Sequence, residues 1–588
     1  MYFKSRTALC FPTRLFTSSA AKNKLNIKNQ SQTKSIVDLP QFDPNFEMKN
    51  EPILKYNSGS EELNKLQEAL KTYQSQIAEI PIIIGGKEFS SKIERFQIIP
   101  HRHHQCVAKY YEADENLINK AIRSAVEAKI KWSKTDVTTR IDIWLKAAEL
   151  MSNKYKAQLV AATMLGQSKT LQQAEIDAGV ELIDFMRINA GFLNDLCKYQ
   201  PFSGNPNVSK NHMLWRPLDG FVAAISPFNF TAIGGNLAYT PALIGNTVLW
   251  KPPPSAMLSS WLISKIMQEA GLPDGVVNFI PANGPVFGNT ITYSSNLGGI
   301  NFTGSLSTFR KLWKLVSKHL EFYKSFPRLS GECGGKNYHF VHASADVATV
   351  VACTIRSAFE YSGQKCSACS RLYVPQSLWE SEIKDQLCTQ TGYLLMGDVC
   401  DVETFLGAVI DDQAFLRIAK YLDMAKTNPQ CDVLIGGRCT NLRGYFVEPT
   451  IVVCRDPYDI LFKEEIFGPL LTVYVYKESE LMNTLDLVGT TTKYALTGSI
   501  FAKDEEFLKE ALNRLQTTAG NLYINDKSSG AVVGQQPFGG SRLSGTNDKP
   551  GSPYFLMRWS SPLTIKETFE PQSKIYYSYM RIGENCDN

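Results

Sequence analysis

Acidic residues are missing from the first 37 positions of this 588-residue chain, where Lys4, Arg6, Arg14, Lys22, Lys24, Lys28 and Lys34 stand without an Asp or Glu. The opening stretch MYFKSRTALCFPTRLFTSSAAKNK adds hydroxyl residues and scattered Phe and Leu but no continuous apolar core. That composition excludes a secretory signal and points to a mitochondrial transit peptide over 1–37, hence to a matrix protein. With so much of the net charge of +5 in this tail, the rest of the chain is nearly neutral. It therefore lacks the clustered basic face that binds nucleic acid. Histidines are few, seven in all and without metal-site spacing, so no metal is expected. Thirteen cysteines, an odd number without framework spacing, read as thiols in a reducing interior and not as a disulfide scaffold. Internal repeats and low-complexity tracts are also lacking. A chain of this length at 44% hydrophobic and 20% charged is globular and expected to split into at least two domains.

One run imitates a membrane span. From Gly220 to Trp250, GFVAAISPFNFTAIGGNLAYTPALIGNTVLW carries no charge. Its length suits a bilayer, but Pro227, Asn229, Gly234, Gly235, Pro241 and Gly245 would break a lipid-exposed helix, and no membrane partner is expected. In a water-soluble domain the run reads as a buried strand FVAAIS, a crossover helix and a second strand TVLWKP. GVVNFIP and GGINFTGS continue the strands, and LSSWLISKIMQEAG, closed by Gly271, is a helix between them. Strands alternating with helices predict a parallel, doubly wound sheet, whose ligands bind beyond the carboxyl ends of the strands. Those ends hold Ser226–Asn229, Lys251 and Thr303–Ser305. No G-x-G-x-x-G follows any strand, yet GSLST (304–308) opens a helix whose free N–H groups suit a phosphate.

Residues 113–200 read as mainly helical. Beyond Gly331 a second α/β pattern starts with YHFVHA, continues through a long helix ATVVACTIRSAFEYSG to the strand RLYVP, and closes with TGSIFA and NLYIND. The terminal SPYFLMRWSSPLTIKETFEP alternates like an exposed strand seeking a partner.

Between helix and strand lies EYSGQKCSACSRLYVP (360–375), with Cys366 and Cys369 three apart. Such a pair has three readings: a redox couple, half of a zinc site, or one nucleophile beside a bystander. A zinc site needs a second ligand pair that the histidines do not supply, and a redox C-x-x-C belongs at a helix N-terminus. In the third reading Cys366 lies after a glycine turn, with Lys365 adjacent, where backbone N–H groups and a cofactor would lower its pKa, and Cys369 packs in the core.

GQKCSACSRLYVP, SPFNFTAIGGN, VLWKP, NFTGS, GECGGKN, KEEIFGP and QQPFGGSRLSGTNDKPG together resemble the aldehyde dehydrogenase superfamily over roughly residues 45–570. The resemblance implies an α/β fold with a Rossmann-type dinucleotide-binding domain (38–330, including a flap segment near 198–218), an α/β catalytic domain (331–548), and an oligomerisation strand with a C-terminal tail (549–588). It implies a homodimer and a small β oligomerisation flap. The motifs look most like the branch that oxidises L-glutamate γ-semialdehyde to L-glutamate with NAD in proline catabolism, through a cysteine thiohemiacetal and thioester.

The chemistry suits those residues. A bare aldehyde has no hydride to give until a nucleophile makes its carbon tetrahedral, and Cys366 matches the family's thiol. Asn229 and the Cys366 N–H match its oxyanion hole, and Glu332 its general base for thioester hydrolysis. Cys333, where many members carry Leu, is expected to pack away from the base. For the cofactor, Lys251 and Glu465 match ribose ligands, Ser226 and Gly304, Ser305, Leu306, Ser307 and Thr308 flank the pyrophosphate and adenosine side, and Phe467 shapes the nicotinamide end. Pro254 stands where many members carry a carboxylate that disfavours NADP, so exclusion of NADP is left open. For the substrate, Ser367, Gly530 and Ala531 match a carboxylate grip, Phe230 and Phe538 a sandwich for the methylenes, and Glu181 a neighbour.

Overall fold

The uncharged run resolves into strand Phe221–Ile225, helix Thr231–Leu243 and strand Val248–Lys251. This computed structural model describes residues 35–580 except Asp38 and Ser578, so positions 1–34 of the expected transit peptide lie outside the described residues. Among the described residues no helix is long and apolar enough to cross a membrane.

Five strands pair in parallel in the order Arg328–Glu332, Leu297–Thr303, Phe221–Ile225, Val248–Lys251, Val277–Phe279, and the antiparallel hairpin Ile82–Ile84/Lys87–Phe89 extends the last edge. The first of these five in chain order, Phe221–Ile225, lies between the second and the fourth. Strand order therefore reverses beside it, which opens a crevice at the carboxyl ends of Phe221–Ile225 and Leu297–Thr303. Every residue of Phe221–Ala224 is buried, as a strand covered on both faces requires.

The second sheet runs Cys431–Ile435, Thr450–Cys454, Leu470–Tyr476, Cys369–Pro375, Asn337–Val341, Thr497–Phe501, Asn521–Ile524, parallel except for Cys431–Ile435. Its last five members include the four strand patterns read from the sequence after Gly331. The helix expected through ATVVACTIRSAFEYSG is shorter. It spans Val347–Phe359, because Tyr361 and Ser362 take left-handed φ values of 53° and 52° and turn the chain away.

Both sheets belong to one unit, Leu39–Pro201 with Met213–Ile565; a smaller unit gathers Phe202–His212 with the described parts of the two chain ends. In the smaller unit Phe569 donates its N–H to the Val208 carbonyl at 2.8 Å, and His212 faces Glu567 at 3.3 Å. Of the C-terminal stretch expected to be strand-like, Pro553–Arg558 is instead a short helix started by Pro553, and the strand forms only at Ser560–Thr568, with alternating burial, where it pairs with Ser209–Pro217 from the expected flap segment.

The helical region holds Glu115–Trp132, Val137–Asn153, Lys156–Gln167 and Leu182–Lys198, with a π-helical turn at Glu175–Glu181. That turn aims Asp177 at the N-terminus of helix Thr231–Leu243, where its carboxylate accepts from Thr231 N–H (2.9 Å) and Ala232 N–H (2.8 Å). Lys169 Nζ donates to the same carboxylate at 2.8 Å, and both side chains are fully buried. Burial pushes the Lys169 ammonium below its usual range, opposed by Asp177. The pair thus joins the helix behind the crevice to the helical layer.

Removing one member leaves the other charge buried without its partner. We predict that Lys169→Met lowers unfolding stability by about 3–5 kcal/mol in urea titrations followed by circular dichroism. A loss below about 1 kcal/mol contradicts the structural role given to this pair.

Candidate active site

A cavity of about 410 Å³ opens at the crevice, walled by Pro227, Phe228 and Asn229 after strand Phe221–Ile225, and by Thr303, Gly304 and Ser305 after strand Leu297–Thr303. Glu332 and Gly334 close it from the end of strand Arg328–Glu332, Cys366 from the turn before Cys369–Pro375, and Glu465 and Phe467 from the loop before Leu470–Tyr476. Seven of the residues singled out in the sequence therefore face one space: Asn229, Gly304, Ser305, Glu332, Cys366, Glu465 and Phe467.

The cysteine turn is held from several sides. Tyr361, Ser362 and Gly363 are consecutive left-handed residues. Ser362 Oγ donates to the Gly407 carbonyl (2.7 Å), and Gln364 Oε1 accepts from Ile410 N–H (2.9 Å). A Cβ on Gly363 would meet the Gly468 carbonyl oxygen at 2.3 Å, so only glycine fits that left-handed position against the neighbouring backbone. Asn229 Nδ2 donates to the Gln364 carbonyl at 3.0 Å, and Asn337 Nδ2 donates to the Cys366 carbonyl at 2.6 Å. Lys365 points to Glu360, 2.8 Å away. Cys369 is buried in the core with Leu372 and Val374, as expected.

The backbone N–H groups alone do not supply the lowering expected of them together with a cofactor: in the protein by itself the Cys366 thiol is pushed up to about 12. Burial is the main cause, followed by the carboxyls of Glu465 and Glu332, and the N–H groups of Ser367 and Cys366 oppose the shift only in part. Glu332 is also held well above the usual carboxylate range by burial, against the hydrogen bond it accepts from Gly540 N–H at 3.2 Å. Glu465, accepting from Gly335 N–H at 2.9 Å, is raised by burial to about 7. The thiol of Cys333 packs in the core with Phe302, Phe309 and Leu329, in line with the packing role expected for it, although the residue also contributes to the cavity wall.

Other expected residues sit behind or beside the wall. Ser226 Oγ accepts from Trp250 Nε1 at 2.7 Å. Lys251 is buried, its pKa drawn down to about 8 by desolvation, and its Nζ reaches only the Pro252 carbonyl at 3.3 Å. Two of its donors are thus left for a ligand. Leu306, Ser307 and Thr308 form the first turn of helix Leu306–Lys318, capped by Ser305 Oγ, which accepts from Thr308 N–H at 3.3 Å. Pro254 is exposed at the start of a short helical turn. Open lysine donors, a capped helix N-terminus at the strand switch and a cavity beside both fit a dinucleotide.

On the other side of the cysteine, Ser528 Oγ donates to the Ser367 carbonyl at 3.1 Å and ties the segment carrying Gly530 and Ala531 to the turn that carries Cys366. The Ser529 hydroxyl in the same segment is buried without a partner. Phe230 lies under Lys169 Nζ, 3.9 Å from its ring centre. Phe538 is half-buried and donates its N–H to Pro550 at 3.0 Å. Glu181 closes the π-helical turn; burial and Asp177 raise it to about 8, with Lys169 and Lys365 opposing.

Sequence reasoning missed Gly334 and Arg417. Gly334 has φ +110°, and a Cβ there would meet the Glu465 carboxyl at 2.3 Å. The Gly-Gly pair in GECGGKN was a readable signal for it. Arg417, on the cavity wall with Nε donating to the Ile466 carbonyl at 3.2 Å, lies on an ordinary amphipathic helix that carries no such signal.

With its thiol held near 12, Cys366 of the protein alone should react slowly with iodoacetamide at pH 7, the rate climbing about tenfold per pH unit to pH 9 as the thiolate fraction grows. Peptide mapping of the alkylated cysteine measures this, and a plateau below pH 8 contradicts it.

Comparison with known proteins agrees with this geometry. The aldehyde dehydrogenase family model matches residues 89–565. The mitochondrial delta-1-pyrroline-5-carboxylate dehydrogenase of Mus musculus is 53% identical over 533 residues, covering 90% of this chain and 94% of that protein. The Homo sapiens protein of the same name is 52% identical over 533 residues, with 90% and 94% covered. Among solved structures, the Delta-pyrroline-5-carboxylate dehydrogenase from Mycobacterium tuberculosis bound with NAD superposes with a TM-score of 0.88 at 40% identity, covering 93% of this chain and all of that one. The NAD-bound 1-pyrroline-5-carboxylate dehydrogenase from Thermus gives 0.81 at 30%, covering 89% and 99%. This chain belongs to the aldehyde dehydrogenase family.

Proposed function

We propose that this protein oxidises L-glutamate γ-semialdehyde, formed from Δ1-pyrroline-5-carboxylate, to L-glutamate with NAD, as a step of proline breakdown. The observation that carries the reading is the convergence of Cys366, Asn229 and Glu332 on one cavity at the strand switch point.

In this reading the Cys366 thiolate adds to the aldehyde carbon and makes it tetrahedral. The oxyanion that forms is met by Asn229 Nδ2 and the Cys366 N–H. Asn229 donates without carrying a charge, so it does not neutralise the neighbouring thiolate, and its bond to Gln364 (3.0 Å) fixes it to the same turn as the nucleophile. NAD, when bound, accepts the hydride. Lys251 and Glu465 would hold its ribose hydroxyls, one donating and one accepting, Ser226 and Gly304–Thr308 would border its phosphates and adenosine, and Phe467 would shape the nicotinamide end. The thioester left on Cys366 is opened by a water whose proton goes to Glu332, and this requires the buried carboxyl to ionise first.

Recognition of an amino-acid aldehyde needs a grip on its carboxylate. Backbone N–H groups of Gly530 and Ala531 with the Ser367 hydroxyl supply one without a cation, and the Ser528–Ser367 bond sets its distance from Cys366. Phe230 and Phe538 enclose the methylenes, with Glu181 nearby. The relatives' names and the basic, acid-free N-terminus support a mitochondrial location, which we place in the matrix. The ribbon of Ser209–Pro217 and Ser560–Thr568 supports a homodimer.

Two substitutions test the reading. Cys366→Ala should abolish oxidation, followed by absorbance of the reduced nicotinamide, while NAD still binds in calorimetry; Cys369→Ala keeps most activity. Substantial turnover by Cys366→Ala overturns the assignment of the nucleophile.

Ala531→Pro removes one N–H from the carboxylate grip. A hydrogen bond to a charged group is worth about 1.5–3 kcal/mol, so KM for glutamate semialdehyde should rise roughly ten- to a hundredfold. Propanal, having no carboxylate, should be a poor substrate for both proteins and almost equally so. Equal losses on both substrates would mean that the turn serves the fold and not recognition.

A further inference from the structure

At the far edge of the second sheet, away from the nucleophile turn, Cys431 and Cys454 are directly opposed on the antiparallel strands Cys431–Ile435 and Thr450–Cys454. The flanking hydrogen bond runs from Arg455 N–H to the Gln430 carbonyl (3.0 Å), one residue outside the pair on each strand. That makes Cys431 and Cys454 a non-hydrogen-bonded pair, the position at which antiparallel side chains approach most closely, with Cα atoms about 4.5 Å apart. The spacing lies inside the range a disulfide bridges, about 4.4–6.8 Å. Their sulfurs and the Asp459 carboxylate are within 4.8 Å of one another.

We propose that Cys431 and Cys454 are a disulfide-forming pair, oxidised by hydroperoxides independently of the catalytic cysteine. Cys431, the more exposed of the two, reacts first: its sulfur breaks the O–O bond of hydrogen peroxide, becomes a sulfenic acid and releases one water. The Cys454 sulfur then attacks the sulfenic sulfur, the S–S bond forms, the S–OH bond breaks, and the hydroxyl leaves with the Cys454 proton as a second water. The pair loses two electrons and one peroxide gains them.

The surroundings favour a neutral product over a metal. Cys431 and Cys454 belong to one buried apolar cluster with Leu422, Ala425, Val452, Leu461 and Phe462. Asp459 already accepts from Leu461 N–H and Asn428 Nδ2, both at 2.8 Å. Two thiolates and a carboxylate around a divalent ion would bury a net negative charge there, whereas a disulfide buries none. The bridge closes the loop 431–454. Leu461, Phe462 and Ile466, on the segment leading to Phe467, share the same core, so the bridge stiffens the support of one cavity wall.

The test is peptide mapping of the whole protein, reduced and then treated with hydrogen peroxide, with remaining thiols alkylated after denaturation. We expect one cross-linked species joining the peptides of Cys431 and Cys454, lighter by two hydrogens than their sum and reversed by dithiothreitol. It should form equally in Cys366→Ala and be lost in Cys431→Ser and in Cys454→Ser. Recovery of both thiols fully alkylated in the wild-type protein overturns the proposal without recourse to any variant. So does a cross-link to a different cysteine, and so does one equivalent of added zinc that survives dialysis and blocks the cross-link, which would make the pair a metal site.

Discussion

The site depends on a backbone that leaves helix Val347–Phe359 through three consecutive left-handed residues. Tyr361 and Ser362 have side chains, and a non-glycine residue in that region costs of order 1–3 kcal/mol. The turn persists because its neighbours over-determine it: Ser362 is bonded to Gly407, Gln364 to Ile410, and Gly363 lies against Gly468 with no room for a Cβ. Without the turn, the helix would carry Cys366 past the crevice. With it, the thiol stands where Asn229 reaches from one sheet and Glu332 from the end of the same sheet's edge strand.

Electrostatics gives that arrangement a direction. Burial raises Cys366, Glu332 and Glu465 together, and the two carboxyls raise the thiol further. Three acids raised by burial thus share one cavity. Lys251 shows the complementary shift, a buried amine drawn down toward about 8 with donors to spare. The carboxylate grip proposed for Gly530 and Ala531 uses N–H groups and would add no charge to this balance.

The parallel sheet was legible from Phe221 to Ser305 because buried strands read as apolar runs ending in turn residues, and the resemblance picked out the seven residues that share the cavity. Some features were not legible for physical reasons. No Gly or Pro stands between Phe359 and Gly363 to mark the end of the helix before Cys366, and the contacts to Gly407, Ile410 and Gly468 that hold the left-handed turn are tertiary. The thiol's upward shift comes first from burial and then from two carboxyls that are distant in sequence and adjacent only in the fold. Cys431 and Cys454 carry no motif spacing, and their opposition is a matter of strand register.

The central claim is that Cys366 carries the substrate's acyl group and Glu332 releases it. The most direct measurement is intact-protein and peptide mass spectrometry of Glu332→Gln quenched in acid after mixing with NAD and glutamate semialdehyde. The account predicts a glutamyl thioester on Cys366 that accumulates to nearly one per chain and is removed by hydroxylamine. Normal steady-state turnover with no adduct, or an adduct on any other residue, would contradict it.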